Sequence, residues 1–242
     1  MVITIAQNEA AFDCCAAWRI IGEILAHPEA VIGLSTGKTT KNIHAVISHI
    51  YRLYPFDVSR ITLFGVDEVI NVPQAYKGAC YTMLKTQLIN HLGLAETQFL
   101  MPPTISGNPE EECRRFQQAI EAKGGVDLQL LGLGENGHIG FNQPGTPFES
   151  ETWVSNMDEA LEARIRKETN TPPGIKLGGL TLGLRTIMRS RKIIVAAKGK
   201  AKAEIVRQML SGPITTAVPA SVLQLHPHCE CLLDVGAAEK IV

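Results

Sequence analysis

Apolar residues along this chain fall into two alternating patterns. Short unbroken runs of Val, Ile and Leu occupy residues 30–34 (AVIGL), 61–66 (ITLFGV), 127–132 (DLQLLG), 192–197 (KIIVAA) and 229–234 (CECLLD). Their length and β-branched content predict buried strands. Between them, apolar positions recur at helical spacing. Residues 39–54 carry Ile43, Val46, Ile47, Ile50 and Tyr54 on one face. Another helix is predicted to start at Asn108, where a capping side chain precedes Pro109 and the acids Glu110, Glu111 and Glu112. Gly124-Gly125 stops it, and a further helix is expected over residues 200–210. Strands apolar on both faces and alternating with helices imply an α/β fold: a mostly parallel sheet with helices on both faces. Pro172-Pro173-Gly174 reads as a loop or lid, leaving residues 1–242 as a single large domain. In such sheets ligands sit at the carboxyl ends of the strands, so the loops following them are where chemistry is sought.

Composition narrows the partners. With 45% hydrophobic residues and 242 positions, the chain can bury a substantial core. Lys and Arg total 23 against 24 Asp and Glu, a net charge of -1, which excludes bulk attraction to nucleic acid or an anionic membrane. Any bound anion must be held by a local site. No apolar run approaches the ~18 residues that span a bilayer. The opening MVITIAQ lacks the basic and apolar regions of a secretion signal. Cysteines at 14, 15, 80, 113, 229 and 231 form neither a disulfide framework nor a CxxC pair. The expectation is a reduced, cytoplasmic protein.

Three loops carry candidate chemistry. Gly33-Leu34-Ser35-Thr36-Gly37-Lys38-Thr39-Thr40 ends like a P-loop, but Gly33 leaves three residues before Gly37-Lys38 where that motif needs four. What survives is a polar turn at a helix N-terminus, suited to an anion or serving as a capped turn. Gly132-Leu133-Gly134-Glu135-Asn136-Gly137 matches G-x-G-x-x-G, yet two glycines and a proline follow in His138–Gly145 where a dinucleotide fold wants a long helix. The loop instead sets His138 among polar amides, a place for acid–base work. Asp67 and Glu68 follow the strand at residues 61–66, as a base with its helper or as solvated acids. The segment His226-Pro227-His228-Cys229 packs its ligand types too closely for one zinc ion and is read as a turn, so no metal is expected.

Together these loops resemble the glucosamine-6-phosphate deaminase/isomerase family, above all its short members, including galactosamine-6-phosphate isomerase-like proteins. The resemblance rests on residues 127–150 (DLQLLGLGENGHIGFNQPGTPFES), 62–68 (TLFGVDE), 33–40 (GLSTGKTT), 198–204 (KGKAKAE) and 219–226 (PASVLQLH), in the family's order. It implies a single Rossmann-like domain that converts an amino-sugar 6-phosphate and water to a keto-sugar 6-phosphate and ammonia, without a cofactor. By motif, Asp67 would shuttle the proton and His138 would open the ring, with Asn136 and Gln143 beside it. Phosphate and substrate would be held by Ser35, Thr36, Gly37, Lys38, Thr39, Glu68, Gly137, Arg166 and Lys202. The chain departs from the family where FNEP reads Phe141-Asn142-Gln143-Pro144, and an aspartate is replaced by Asn136, as short members commonly have it, flanking His138 with two neutral amides. Such amides fix a tautomer but do not stabilise imidazolium as a carboxylate does. Ser150-Glu151-Thr152-Trp153 lacks the pattern of the long members' allosteric site, so that regulation is not expected. A 6-phosphogluconolactonase-like hydrolase and a weakened sugar-phosphate-binding protein are the alternatives. Gluco or galacto preference and homo-oligomerisation stay open.

Overall fold

The expected strand runs lie side by side in one sheet. The computed structural model describes residues 1–73 and 75–241. The chain begins with β1 (Val2–Ala6), α1 (Glu9–Ala26), β2 (Val31–Leu34), α2 (Lys41–Leu53), β3 (Thr62–Gly65) and β4 (Asp67–Ile70). It continues through α3 (Cys80–Leu84), a π-helical turn (Lys85–Ile89), α4 (Asn90–Leu92), β5 (Phe99–Leu100), α5 (Pro109–Ala122) and β6 (Leu128–Gly132). There follow β7 (Trp153–Ser155), α6 (Glu159–Thr169), β8 (Gly178–Thr181), α7 (Leu184–Met188) and β9 (Lys192–Ala197). The chain closes with α8 (Ala203–Ser211), β10 (Cys229–Asp234) and α9 (Val235–Ala238).

Seven strands pair in the order β1-β10-β9-β6-β2-β3-β5, every pairing parallel, and β4-β8-β7 form a small antiparallel sheet. Successive strand side chains point to opposite faces, so an unbroken apolar run needs cover on both. Ile32, Leu34, Leu130 and Ile194 pack with Ile20 of α1 and Ile43 and Ile47 of α2. Val31, Leu131 and Val195 pack on the other face with Phe116 of α5, Ile187 of α7 and Val206 of α8. The α5 start forms as its sequence dictates: the Asn108 side chain accepts from the Glu111 N–H at 3.2 Å, and Pro109 opens the first turn. Among the described residues no helix is long and apolar enough to cross a membrane.

Two expectations change in detail. The run at residues 61–66 divides, because Val66 turns the chain out of the main sheet and Asp67 begins β4, paired to β8. The helix expected over residues 200–210 opens with a tight turn at Lys200–Lys202 before α8 begins.

Topology fixes where a ligand fits. From β2 the chain steps to β3 on one side, and β6 later takes the place on the other side. Connections leaving neighbouring strands in opposite directions open a crevice above their carboxyl ends. The loops after β2, β3 and β6 surround it.

His44 of α2 supplies a pH-dependent part of the stability. Its ring is buried, with Nδ1 3.0 Å from Gln87 Oε1 and Nε2 without a partner among the described residues. Burial lowers its pKa from 6.5 to about 4. The unfolded chain therefore takes up this proton below pH 6.5, and the folded one only near 4. Stability held above pH 6.5 is lost as pH falls through that window. Against His44→Asn, in which all other titrations are shared, the wild type should lose about 2 kcal/mol between pH 7 and pH 5. Urea unfolding at the two pH values measures the difference.

Candidate active site

The loop after β2 is held by its own backbone. Ser35 N–H donates to the Leu130 carbonyl of β6 at 3.1 Å, and the Thr40 hydroxyl donates to the Ser35 carbonyl at 2.8 Å. Lys41 N–H returns to the Gly37 carbonyl at 3.0 Å, opening α2. The unpaired N–H groups of that helix start and the polar turn share one place, the arrangement that suits an anion. Ser35 Oγ is buried without a partner among the described residues, Thr36 and Thr39 are half-buried, and Gly37 and Lys38 are exposed.

Asp67 and Glu68 are neighbours with different surroundings. Asp67 is 8% exposed, and burial pushes its carboxyl up to about 6. Its Oδ1 accepts from the Cys80 thiol at 3.3 Å. Glu68 is fully enclosed. Its Oε1 accepts from the N–H groups of Val69 and Cys80, both at 2.8 Å, and its Oε2 from that of Tyr81 at 2.7 Å. Burial raises it to about 7 against the pull of these three donors. The expected substrate-contacting role of Glu68 meets a side chain whose oxygens are already engaged in capping α3. Asp67 is the acid of the pair that keeps one oxygen free of protein partners among the described residues.

His138 lies on a tightly folded loop after β6. Gly134 N–H donates to the His138 carbonyl at 2.9 Å, and Gly137 N–H to the Gly134 carbonyl at 3.1 Å. The imidazole lies so close over Gly134 that a Cβ there would stand 2.3 Å from the ring. Asn136 Oδ1 accepts from the His138 N–H at 3.2 Å and stands 2.6 Å from ring Nδ1. The Asn136 amide nitrogen donates to Gln143 Oε1 at 2.9 Å. An amide oxygen only accepts, so Nδ1 carries the proton and Nε2 is left as the basic nitrogen. Burial, followed by the positive charge of Lys202, lowers the His138 pKa. The two amides expected beside His138 are thus arranged in series, with Gln143 reaching the ring through Asn136.

The Asp67 and His138 regions meet through the backbone. A Cβ on Gly140 would stand 2.6 Å from Thr181 Oγ1 and 3.3 Å from Val66 Cγ1, so the His138 loop lies directly on the residue before Asp67. Asn142 secures it from beneath. Its fully buried amide donates to the carbonyls of Ile139 (2.9 Å) and Leu182 (2.8 Å) and accepts from Trp153 Nε1 (3.0 Å). Gly137 is buried, with its carbonyl held by Ala220 N–H at 2.9 Å.

The two expected distal cations differ. Lys202 has a side chain 16% exposed, 3.9 Å from Glu135 and electrostatically coupled to His138. Arg166 is engaged elsewhere. Its guanidinium donates to Glu162 at 2.6 Å and to the carbonyls of Thr171, Pro172 and Ile175, clasping the turn after α6. Its charge was expected to serve the phosphate; here those four acceptors hold it within its own segment. A cleft of about 450 Å³ flanks Gln143, lined also by Thr146, Trp153, Ser155 and Asp158. At the carboxyl terminus, His226 is buried with Nε2 2.8 Å from the Ser190 carbonyl, and Nδ1 accepts from His228 N–H, which makes the segment a turn. Cys80 and Asn142 are the site residues that sequence reasoning did not single out. Asn142 lay inside the quoted FNQP motif, whereas nothing local marks Cys80.

These features define a parallel α/β protein with an acid, a histidine and an anion-suited loop gathered at one end of its sheet. Residues 16–232 match the family described as glucosamine-6-phosphate isomerases/6-phosphogluconolactonase, and the chain belongs to that family. It is 33% identical over 241 residues to a glucosamine-6-phosphate deaminase of Clostridium botulinum (strain Loch Maree / Type A3), covering 100% of this chain and 99% of the relative. A glucosamine-6-phosphate deaminase of Clostridium perfringens (strain 13 / Type A) is also 33% identical, with both chains covered in full. Among solved structures, a monomeric glucosamine-6-phosphate deaminase superposes with a TM-score of 0.91 at 32% identity, over 99% of this chain and 100% of that one. The 6-phosphogluconolactonase of Trypanosoma brucei shares the fold, with a TM-score of 0.75 at 23% identity over 100% of this chain and 98% of that one.

Proposed function

We propose that this chain is an amino-sugar-6-phosphate deaminase/isomerase acting on glucosamine- or galactosamine-6-phosphate in the cytoplasm. The observation that carries the reading is the pairing of a buried, partly free Asp67 carboxylate with a His138 ring whose basic Nε2 is set by Asn136. The phosphate is held by Ser35, Thr36, Gly37 and Thr39 with Lys202. His138 Nε2 takes the proton of the C1 hydroxyl and returns one to the ring oxygen, which opens the ring. Asp67 removes the C2 proton and delivers it to C1, turning the amino aldehyde through an enolamine into a C2 imine. Water adds at C2, the C–N bond breaks, and ammonia leaves behind a keto-sugar 6-phosphate. One water is consumed for each ammonia released, so the reaction is formally hydrolytic.

Ammonia release from the two amino-sugar 6-phosphates, followed in a coupled assay, tests the reading; calorimetric binding without turnover would replace it with a sugar-phosphate-binding role. Gln143→Glu gives a second test within the same assay. The carboxylate keeps the acceptor that Asn136 requires and adds a negative charge that favours imidazolium at His138. Turnover is expected to rise by about three- to tenfold, and an unchanged rate would remove His138 from ring opening.

A further inference from the structure

Cys80 has no part in the chemistry above, yet it stands between two components of the site. It is buried at the start of α3. Its sulfur accepts from the Thr36 hydroxyl at 3.2 Å, its thiol donates to Asp67 Oδ1 at 3.3 Å, and its backbone N–H donates to Glu68 Oε1 at 2.8 Å. A hydroxyl–thiol–carboxylate chain therefore runs from the loop after β2 to the acid at the start of β4. We propose that Cys80 is a positioning residue for the base: its thiol anchors one oxygen of Asp67 to the phosphate loop and leaves Oδ2 to reach substrate.

Several observations support this assignment, which rests on the deaminase reading of Asp67. Aspartate has one rotatable bond beyond Cβ, so fixing Oδ1 also fixes the direction of Oδ2. Burial and the carboxylates of Asp67 and Glu68 hold the thiol proton far more tightly than in a free cysteine. The group is consequently a standing donor, not a thiolate nucleophile. The titratable groups bearing on Asp67 are this thiol and Glu68. A donor to the charged form favours the carboxylate, so the thiol opposes the effect of burial on Asp67. The same contact that aims the base keeps more of it ionised.

Wild type, Cys80→Ala and Cys80→Ser are to be compared by kcat, KM and the pH profile of kcat/KM, with a carbon-13 NMR titration of the Asp67 carboxyl. Cys80→Ala should lower kcat by about three- to tenfold with KM changed less than about twofold. It should move the acid limb and the NMR midpoint upward by about half a pH unit or more. Cys80→Ser, which keeps both donor and acceptor, should restore both. Cys80→Val repeats the donor deletion at larger volume should the alanine variant pack poorly. An unmoved midpoint in the donor-free variants, or a serine variant that behaves like them, overturns the proposal. If the wild type releases no ammonia, the deaminase reading fails, while the NMR titration still decides whether the thiol governs Asp67.

Discussion

Asp67→Asn should reduce ammonia release by about 10²–10⁴-fold while leaving the fold intact. The amide keeps the shape of the side chain and an oxygen for the Cys80 thiol, but it has no basic electron pair to take the C2 proton. The wild-type enzyme should show the same dependence through pH. Burial sets the Asp67 carboxyl at about 6, and the base works only when ionised. Activity should therefore fall below pH 6, approaching tenfold per unit, and this limb should vanish from the residual rate of the variant. Stability should move the other way. A carboxyl whose folded pKa is raised from 3.8 to about 6 destabilises the fold above the folded value, and the cost fades as pH falls toward 3.8. Asparagine lacks that cost, so the inactive variant should be about 1–3 kcal/mol more stable at pH 8 and lose this advantage near pH 4. Parallel activity profiles and urea melts read both effects, and a variant as active as wild type would remove Asp67 from the chemistry.

Asn142→Leu should have the largest effect on stability. The substitution leaves the Trp153 indole N–H without its partner and takes one of two donors from each carbonyl, Ile139 keeping the backbone N–H of residue 142 and Leu182 keeping the Thr181 hydroxyl. One stranded donor costs about 1–3 kcal/mol and each lost second bond to a carbonyl about 0.5–1 kcal/mol, so the sum is about 2–4 kcal/mol. Because the same amide ties the His138 loop to the small sheet, activity should fall at temperatures where the variant is still folded. Urea unfolding gives the stability loss, and the Trp153 emission should shift to the red. A loss below 1 kcal/mol would show that the indole N–H finds another bond.

The parts of the molecule legible in the sequence are those fixed by local pattern. The strands at residues 192–197 and 229–234 have the expected boundaries, because unbroken apolar runs need burial on both faces. The cap at Asn108 and the polar loop carrying His138 were equally plain, whereas the acid pair expected after the strand opens β4. The small sheet was not legible, because β8 reads GGLT and β7 is three residues long, and their strand character comes from pairing with each other and with β4. The partners of Glu68 and Arg166 were hidden for a related reason. A carboxylate or guanidinium in a sequence does not say whether a helix start or a nearby turn will claim its hydrogen bonds. Cys80 meets Thr36 from 44 residues away and Asp67 from 13, a coincidence that folding alone creates.

The sheet order also bears on how the protein is made. Among the described residues β1 pairs with β10 alone, matching Val2 to Glu230 and Ala6 to Asp234. During synthesis β1 leaves the ribosome long before β10, and its apolar VITIA segment is without that neighbour in the interval. Such a segment is a natural substrate for holdase chaperones and a route to aggregation when the nascent chain stalls.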